Sequence, residues 1–99
     1  MMGRHEAIAR LKQAEPAIRA LGAASLYLFG SHARDEARPD SDVDVFIDKE
    51  PSRHFGFHEF MGIYLALREA LGVEVGYTTR EGLVEFYRPD IEREAIRVF

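Results

Sequence analysis

The chain has 99 residues, 46% of them hydrophobic and 30% charged, with a net charge of −4 and no cysteine. This length and balance fit one ordinary globular domain and argue against disorder. Disulfides, a thiolate zinc site and a thiol nucleophile are excluded, no apolar run approaches the roughly 18–20 residues of a membrane span, and the negative balance argues against direct nucleic-acid binding. The opening segment lacks the apolar core of a secretory signal, so a cytoplasmic location is expected.

Residues 4–21 carry Ala7, Ile8, Leu11, Ala14, Ile18 and Leu21 on one helical face. Pro16 falls inside that pattern and should kink or split the helix; Gly22 is a plausible stop. Ser25-Leu26-Tyr27-Leu28-Phe29 reads as a buried strand, ended by Gly30-Ser31. A short helix is expected over residues 32–36, with Ser31 as its cap. Residues 42–48 alternate acidic with apolar side chains, the period of a strand. Val43, Val45 and Ile47 then share the core face, and Asp42, Asp44 and Asp48 the other, with Asp48 at an exposed far end. Residues 56–71 form an amphipathic helix closed by Gly72, with Phe57, Phe60 and Tyr64 inward. Residues 73–77 alternate again, so that Val73, Val75 and Tyr77 face the core and Glu74 faces the side of the aspartates. Thr78 and Glu81 have the spacing of a capping box. A last helix is predicted over residues 89–98, opened by Pro89, Asp90 and Glu92. The fold class is α+β, a small mixed sheet with helices packed on it in two layers.

Chemistry concentrates at two places. The segment from Asp35 to Glu50 holds seven acids against two bases, a formal −5 in 16 residues. A solvated acidic loop is the ordinary explanation of such a run. Against it, Asp42 and Asp44 share one strand face, repel each other, and call for a cation between them. Hard Mg²⁺ prefers carboxylate oxygens. Eleven residues upstream, Gly30-Ser31 lies between a strand and a helix, where glycine lets a phosphate approach the backbone. A phosphate turn plus a carboxylate pair is equipment for metal-assisted phosphoryl or nucleotidyl transfer. Glu74 could supply a third carboxylate.

Leu28-Phe29-Gly30-Ser31-His32-Ala33-Arg34, followed by Ser41-Asp42-Val43-Asp44, resembles the G-S…D-x-D signature of the polymerase-beta-like nucleotidyltransferases. Val73-Glu74-Val75, Thr79-Arg80-Glu81-Gly82-Leu83 and Ile91-Glu92-Arg93-Glu94-Ala95 extend the resemblance over nearly the whole chain. Residues 1–99 are similar to one minimal nucleotidyltransferase (MNT) domain. The resemblance implies that fold, ATP as substrate, and Mg²⁺, in the family's scheme two ions, at Asp42 and Asp44. It implies a triphosphate held by Gly30 and Ser31 and steadied by Arg34, with Glu74 as the third metal-binding and catalytic carboxylate. Two departures stand out. The family's third carboxylate is usually Asp, and Glu displaces the oxygen by more than ~1 Å, enough to cost about 10²-fold in rate. Asp35 also replaces a glycine after the turn, a position where Asp tolerates a left-handed backbone.

MNT chains of this size are often antitoxins of HEPN-domain toxins, some transferring AMP to a toxin tyrosine. The first functional expectation is therefore a Mg²⁺-dependent protein adenylyltransferase acting as antitoxin on a HEPN partner. A second copy of the chain is the other candidate for the acceptor surface. The second expectation is a catalytically weak module that neutralises its partner by contact; small-molecule transfer ranks third, because no acceptor domain is present. His32 is read as exposed, His54 and His58 as surface histidines, and Arg88, Arg93 and Arg97 as ion-pairing surface.

Overall fold

The computed structural model describes residues 2–99. The N-terminal helical pattern is divided in two, as Pro16 requires. Helix α1 spans Arg4–Gln13 and α2 spans Glu15–Ala20, with the proline in the first turn of α2, where its missing N–H costs nothing. Ala7, Leu11 and Ile18 are fully buried along the shared face. Gly22 follows with φ 110°, a left-handed value, and its carbonyl accepts from Glu50 N at 2.7 Å.

Strand β1 covers Ala23–Phe29 and runs straight into the one-turn helix α3, Gly30–Ala33. That helix starts and ends earlier than expected, and Asp35 after it has φ 59°. The left-handed residue is the aspartate that stands at the family's glycine, and the turn survives. Strand β2, Val43–Lys49, pairs antiparallel with β1, placing Phe29 opposite Asp44 and Tyr27 opposite Phe46. Helix α4, Phe57–Leu71, ends at Gly72 with φ 71°. It carries the chain to β3, Val75–Thr79, which lies parallel to β2, a connection that needs such a crossover. A 3₁₀ turn follows at Arg80–Gly82, then helix α5, Arg88–Glu94, and a two-residue strand β4, Ile96–Arg97, antiparallel to β1. The strand order is β3-β2-β1-β4.

The core lies on one side of this mixed sheet. Leu26, Leu28, Val43, Val45 and Ile47 meet Leu11, Ile18, Ile63, Leu67 and Leu71, all at 0% exposure. Each such side chain contributes roughly 1.5–3 kcal/mol of transfer free energy. The alternation over β2 therefore orients its polar positions to the opposite side.

Several expectations need correcting. Residues 89–98 are not one helix: α5 stops at Glu94 and the chain turns extended to pair with β1. Strand β3 begins at Val75, and Val73 is 39% exposed. Phe57, at the first turn of α4, is exposed, whereas Phe60 and Tyr64 pack on Tyr77. His32 is buried, and its Nδ1 has no partner. Thr79, rather than Thr78, caps the turn at Arg80, accepting from Gly82 N at 3.2 Å.

Candidate functional site

The side of the sheet away from the core carries the candidate chemistry. Registered neighbours point the same way, so Phe29 on β1, Asp44 on β2 and Gly76 on β3 form one row. Tyr27, Phe46 and Thr78 form the next. The Asp44 carboxylate is held between two glycines: a Cβ on Gly30 or on Gly76 would collide with its oxygens. Gly30 has φ 74° besides, so the turn at the end of β1 favours glycine on two counts.

Asp42 lies just before β2 and is exposed; Asp44 is half-buried. Burial pushes the Asp44 carboxyl above its ordinary range, and the Asp42 charge adds to that, while His32 and Arg34 oppose it. Two carboxylates whose mutual repulsion is only partly balanced fit a hard divalent cation. With two protein carboxylates, the remaining positions suit water and phosphate oxygens, the usual manner of Mg²⁺.

The turn beside this pair binds an anion already. Gly30 N donates to Glu94 Oε1 at 3.0 Å, and Arg34 Nη1 donates to Oε1 and Oε2 of the same carboxylate at 3.2 and 3.0 Å. Arg34 Nε donates to Glu36 at 2.9 Å. Ser31 occupies the second position of α3, and no side chain caps that helix. Its expected capping role is absent.

The structure turns Glu74 away. Its carboxylate accepts from Tyr64 OH at 2.7 Å and from Val75 N at 3.4 Å. Those bonds hold the Glu74 carboxyl below its usual range, and the Tyr64 hydroxyl is raised in turn. Glu74 precedes the first residue of an edge strand, and its long side chain reaches round to α4. The residue of β3 that does face Asp44 is Gly76, which has no side chain to offer. Asp42 and Asp44 are brought together with Gly30 and Arg34; Glu74 is not.

Asp48 has a different role from the exposed end expected of it. Arg80 clamps it, Nε to Oδ1 at 2.7 Å and Nη2 to Oδ2 at 2.9 Å, and Ser25 Oγ donates to Oδ2 at 2.9 Å. Arg80 Nη1 also donates to Glu92 at 2.6 Å, and the guanidinium lies over the Tyr27 and Phe46 rings at 5.0 and 4.9 Å. The hydrogen bonds from Arg80 hold both the Asp48 and Glu92 carboxyls below their usual range. This network fixes α5 over the sheet. Between α5 and the Phe29 row lies a cavity of about 500 Å³ walled by Phe29, Leu83, Tyr87 and Ile91 and reaching Gly30, Arg34 and Glu94. Arg88 and Arg93 pair with Glu92 and Asp90 within α5. Glu94 and Gly76 carry no sequence signal for their places; one depends on the tertiary position of α5, the other on strand register.

Residues 9–98 match the nucleotidyltransferase domain family. The chain is 31% identical over 75 residues to a Methanocaldococcus jannaschii protein named "Putative protein adenylyltransferase MJ1379", covering 75% of each chain. A solved structure described as a "putative minimal nucleotidyltransferase" superposes with a TM-score of 0.80 at 35% identity, over 96% of this chain and 95% of that one. A toxin–antitoxin structure with AMP-PNP superposes at 0.70 with 14% identity, over 93% of this chain and 72% of that one, a likeness of fold. Among the described residues, no helix is long and apolar enough to cross a membrane. The chain belongs to the nucleotidyltransferase domain family, and its fold is that of a minimal nucleotidyltransferase.

Proposed function

We propose that this nucleotidyltransferase moves AMP from ATP to a hydroxyl of a partner protein, a tyrosine of a HEPN-type toxin, the new bond to the α-phosphorus replacing the bond to pyrophosphate, which leaves as the hydroxyl gives up its proton, and thereby acts as its antitoxin. The observation that carries the proposal is the half-buried Asp44 beside Asp42, set against the Gly30 turn whose N–H and Arg34 already grip an anion. The relative named as a protein adenylyltransferase supports a protein acceptor, and the toxin–antitoxin fold neighbour with AMP-PNP supports both partner class and nucleotide. Val84, Phe86 and Tyr87 are 63%, 83% and 56% exposed beside the cavity, an apolar patch suited to a partner surface.

Mechanism follows from what the side chains can do. Asp42 and Asp44 would hold Mg²⁺, which when bound supplies charge neutralisation at the triphosphate and the acceptor oxygen. Gly30 N–H and Arg34 orient phosphate oxygens. Phe29 and Leu83 give the turn an apolar wall on one side. Holding donor and acceptor in line is itself worth several kcal/mol of barrier, on the order of 7–11 at best.

A second reading has its own observation. Gly76 gives β3 no carboxylate opposite Asp44, so a metal would lack a third protein anion. A catalytically weak module that neutralises its partner by contact would tolerate that loss. The test is single-turnover transfer from each labelled triphosphate, with Mg²⁺, to the protein encoded beside this chain. Label on that partner, lost in Asp42→Asn/Asp44→Asn, supports transfer; neutralisation without label, surviving the double change, supports contact alone.

A further inference from the structure

The Gly30 N–H and the Arg34 guanidinium share one acceptor, and it comes from 64 residues away in the chain. Glu94, at the end of α5, puts Oε1 3.0 Å from Gly30 N and spans Arg34 Nη1 with both oxygens at 3.2 and 3.0 Å. Gly30 is buried, so its N–H needs an acceptor at all times. A carboxylate held by a main-chain N–H and a guanidinium matches a phosphate in charge sign, donor type and distance. The donors that the triphosphate reading assigns to the nucleotide are thus already filled from within the chain.

We propose that Glu94 is an internal competitor: it occupies a phosphate subsite formed by Gly30 N–H and Arg34, and a phosphate group of the nucleoside triphosphate exchanges with it there. The inference rests on the triphosphate reading above. Both anions cannot share one N–H and one Nη1, since like charges at that separation repel. Exchange, unlike simple release, leaves no buried N–H without an acceptor, so the energetic cost falls on Glu94 alone. Water offsets part of that cost, because the Glu94 side chain is 29% exposed and the freed carboxylate can be hydrated. Helix α5 need not leave with it, because Glu92 stays tied to Arg80 at 2.6 Å. The affinity measured on the resting chain is then the intrinsic affinity reduced by the fraction of molecules in which Glu94 is seated.

The test is calorimetric titration of Mg²⁺ with AMP-PNP, and separately of tripolyphosphate, into the parent, Glu94→Gln and Glu94→Asp, each checked for folding by thermal melting. Gln keeps an oxygen for Gly30 N but gives Arg34 no charge; Asp is shorter by one methylene and withdraws from both donors. Folded Glu94→Gln should bind AMP-PNP about tenfold tighter than the parent, the worth of one charge-assisted pair. Tripolyphosphate should gain by a similar factor, because the competition is for phosphate and not for the base. If Glu94→Gln fails to fold, Glu94→Asp decides by the same criterion. Parent binding that neither variant tightens overturns the competition and leaves the triphosphate reading standing. Failure of all three proteins to bind AMP-PNP overturns both.

Discussion

Asp44 is the residue on which the site turns. Its carboxylate stands where a side chain at Gly30 or Gly76 would intrude, and burial with Asp42 disfavours its charge. A group whose ionised form is disfavoured in the folded chain weakens that chain when ionised. Asp42→Asn/Asp44→Asn should therefore melt no lower than the parent without metal, while calorimetric binding of Mn²⁺ with a non-hydrolysable triphosphate disappears. A clear drop in melting temperature would assign the pair a structural role. Ser31 separates folding from binding in the same sense. Since it caps nothing in α3, Ser31→Ala should cost under about 0.5 kcal/mol of stability. If its hydroxyl meets phosphate, nucleotide affinity should fall by on the order of 1.5–3 kcal/mol. Equal affinity in parent and variant would remove Ser31 from the site. Glu74 stands outside the pair and the turn. With its carboxylate bonded to Tyr64, Glu74→Gln should transfer at the parental rate, and a loss of transfer would mean that the residue swings into the site.

At the scale of elements, Arg80 joins β1, β2 and α5 through Asp48, Glu92 and the rings of Tyr27 and Phe46. Asp48 and Glu92 have carboxyl pKa values held below normal by that arginine. Depressed values contribute stability that is present above the unfolded carboxylate pKa, near ~4, and is lost as pH falls through the folded values. Arg80→Ala should cost about 1–3 kcal/mol at neutral pH, and its gap from the parent should narrow as urea melts are taken from about pH 6 to about pH 3. A gap constant across that range would show that the arginine acts through packing on the rings instead. The elements also show what periodicity can reveal. Alternation over residues 42–48 correctly set Val43, Val45 and Ile47 inward, because one buried face fixes register. Pro16 split the first helix for a local steric reason, and Asp35 took the left-handed turn for another. Strand β4 was hidden because two residues carry no period, and only pairing with β1 makes them a strand. Parity puts Glu74 on the side of the aspartates, but parity sets only where a Cβ points, and the long side chain beside the strand finds its hydrogen bond at Tyr64 instead.

At the scale of the molecule, the sheet divides labour between its faces. The helical side holds the core, and the other side carries Asp44, the anion-gripping turn and the cavity under α5. The burial of His32, like the place of Glu94, has no local sequence signal, because it depends on how α3 sits against neighbouring elements. The exposed patch of Val84, Phe86 and Tyr87 borders that cavity, which reaches Gly30 and Arg34, and is the surface proposed above for the partner. The central claim is that Asp42 and Asp44 drive transfer of a nucleotide to that partner. The most direct measurement is single-turnover incubation of the chain with α-labelled ATP, Mg²⁺ and the neighbouring protein, followed by mass analysis of that protein. The account predicts AMP on a partner hydroxyl with the parent and none with Asp42→Asn/Asp44→Asn. Equal labelling by parent and double variant, or an unmodified partner that the parent nonetheless neutralises, would contradict it.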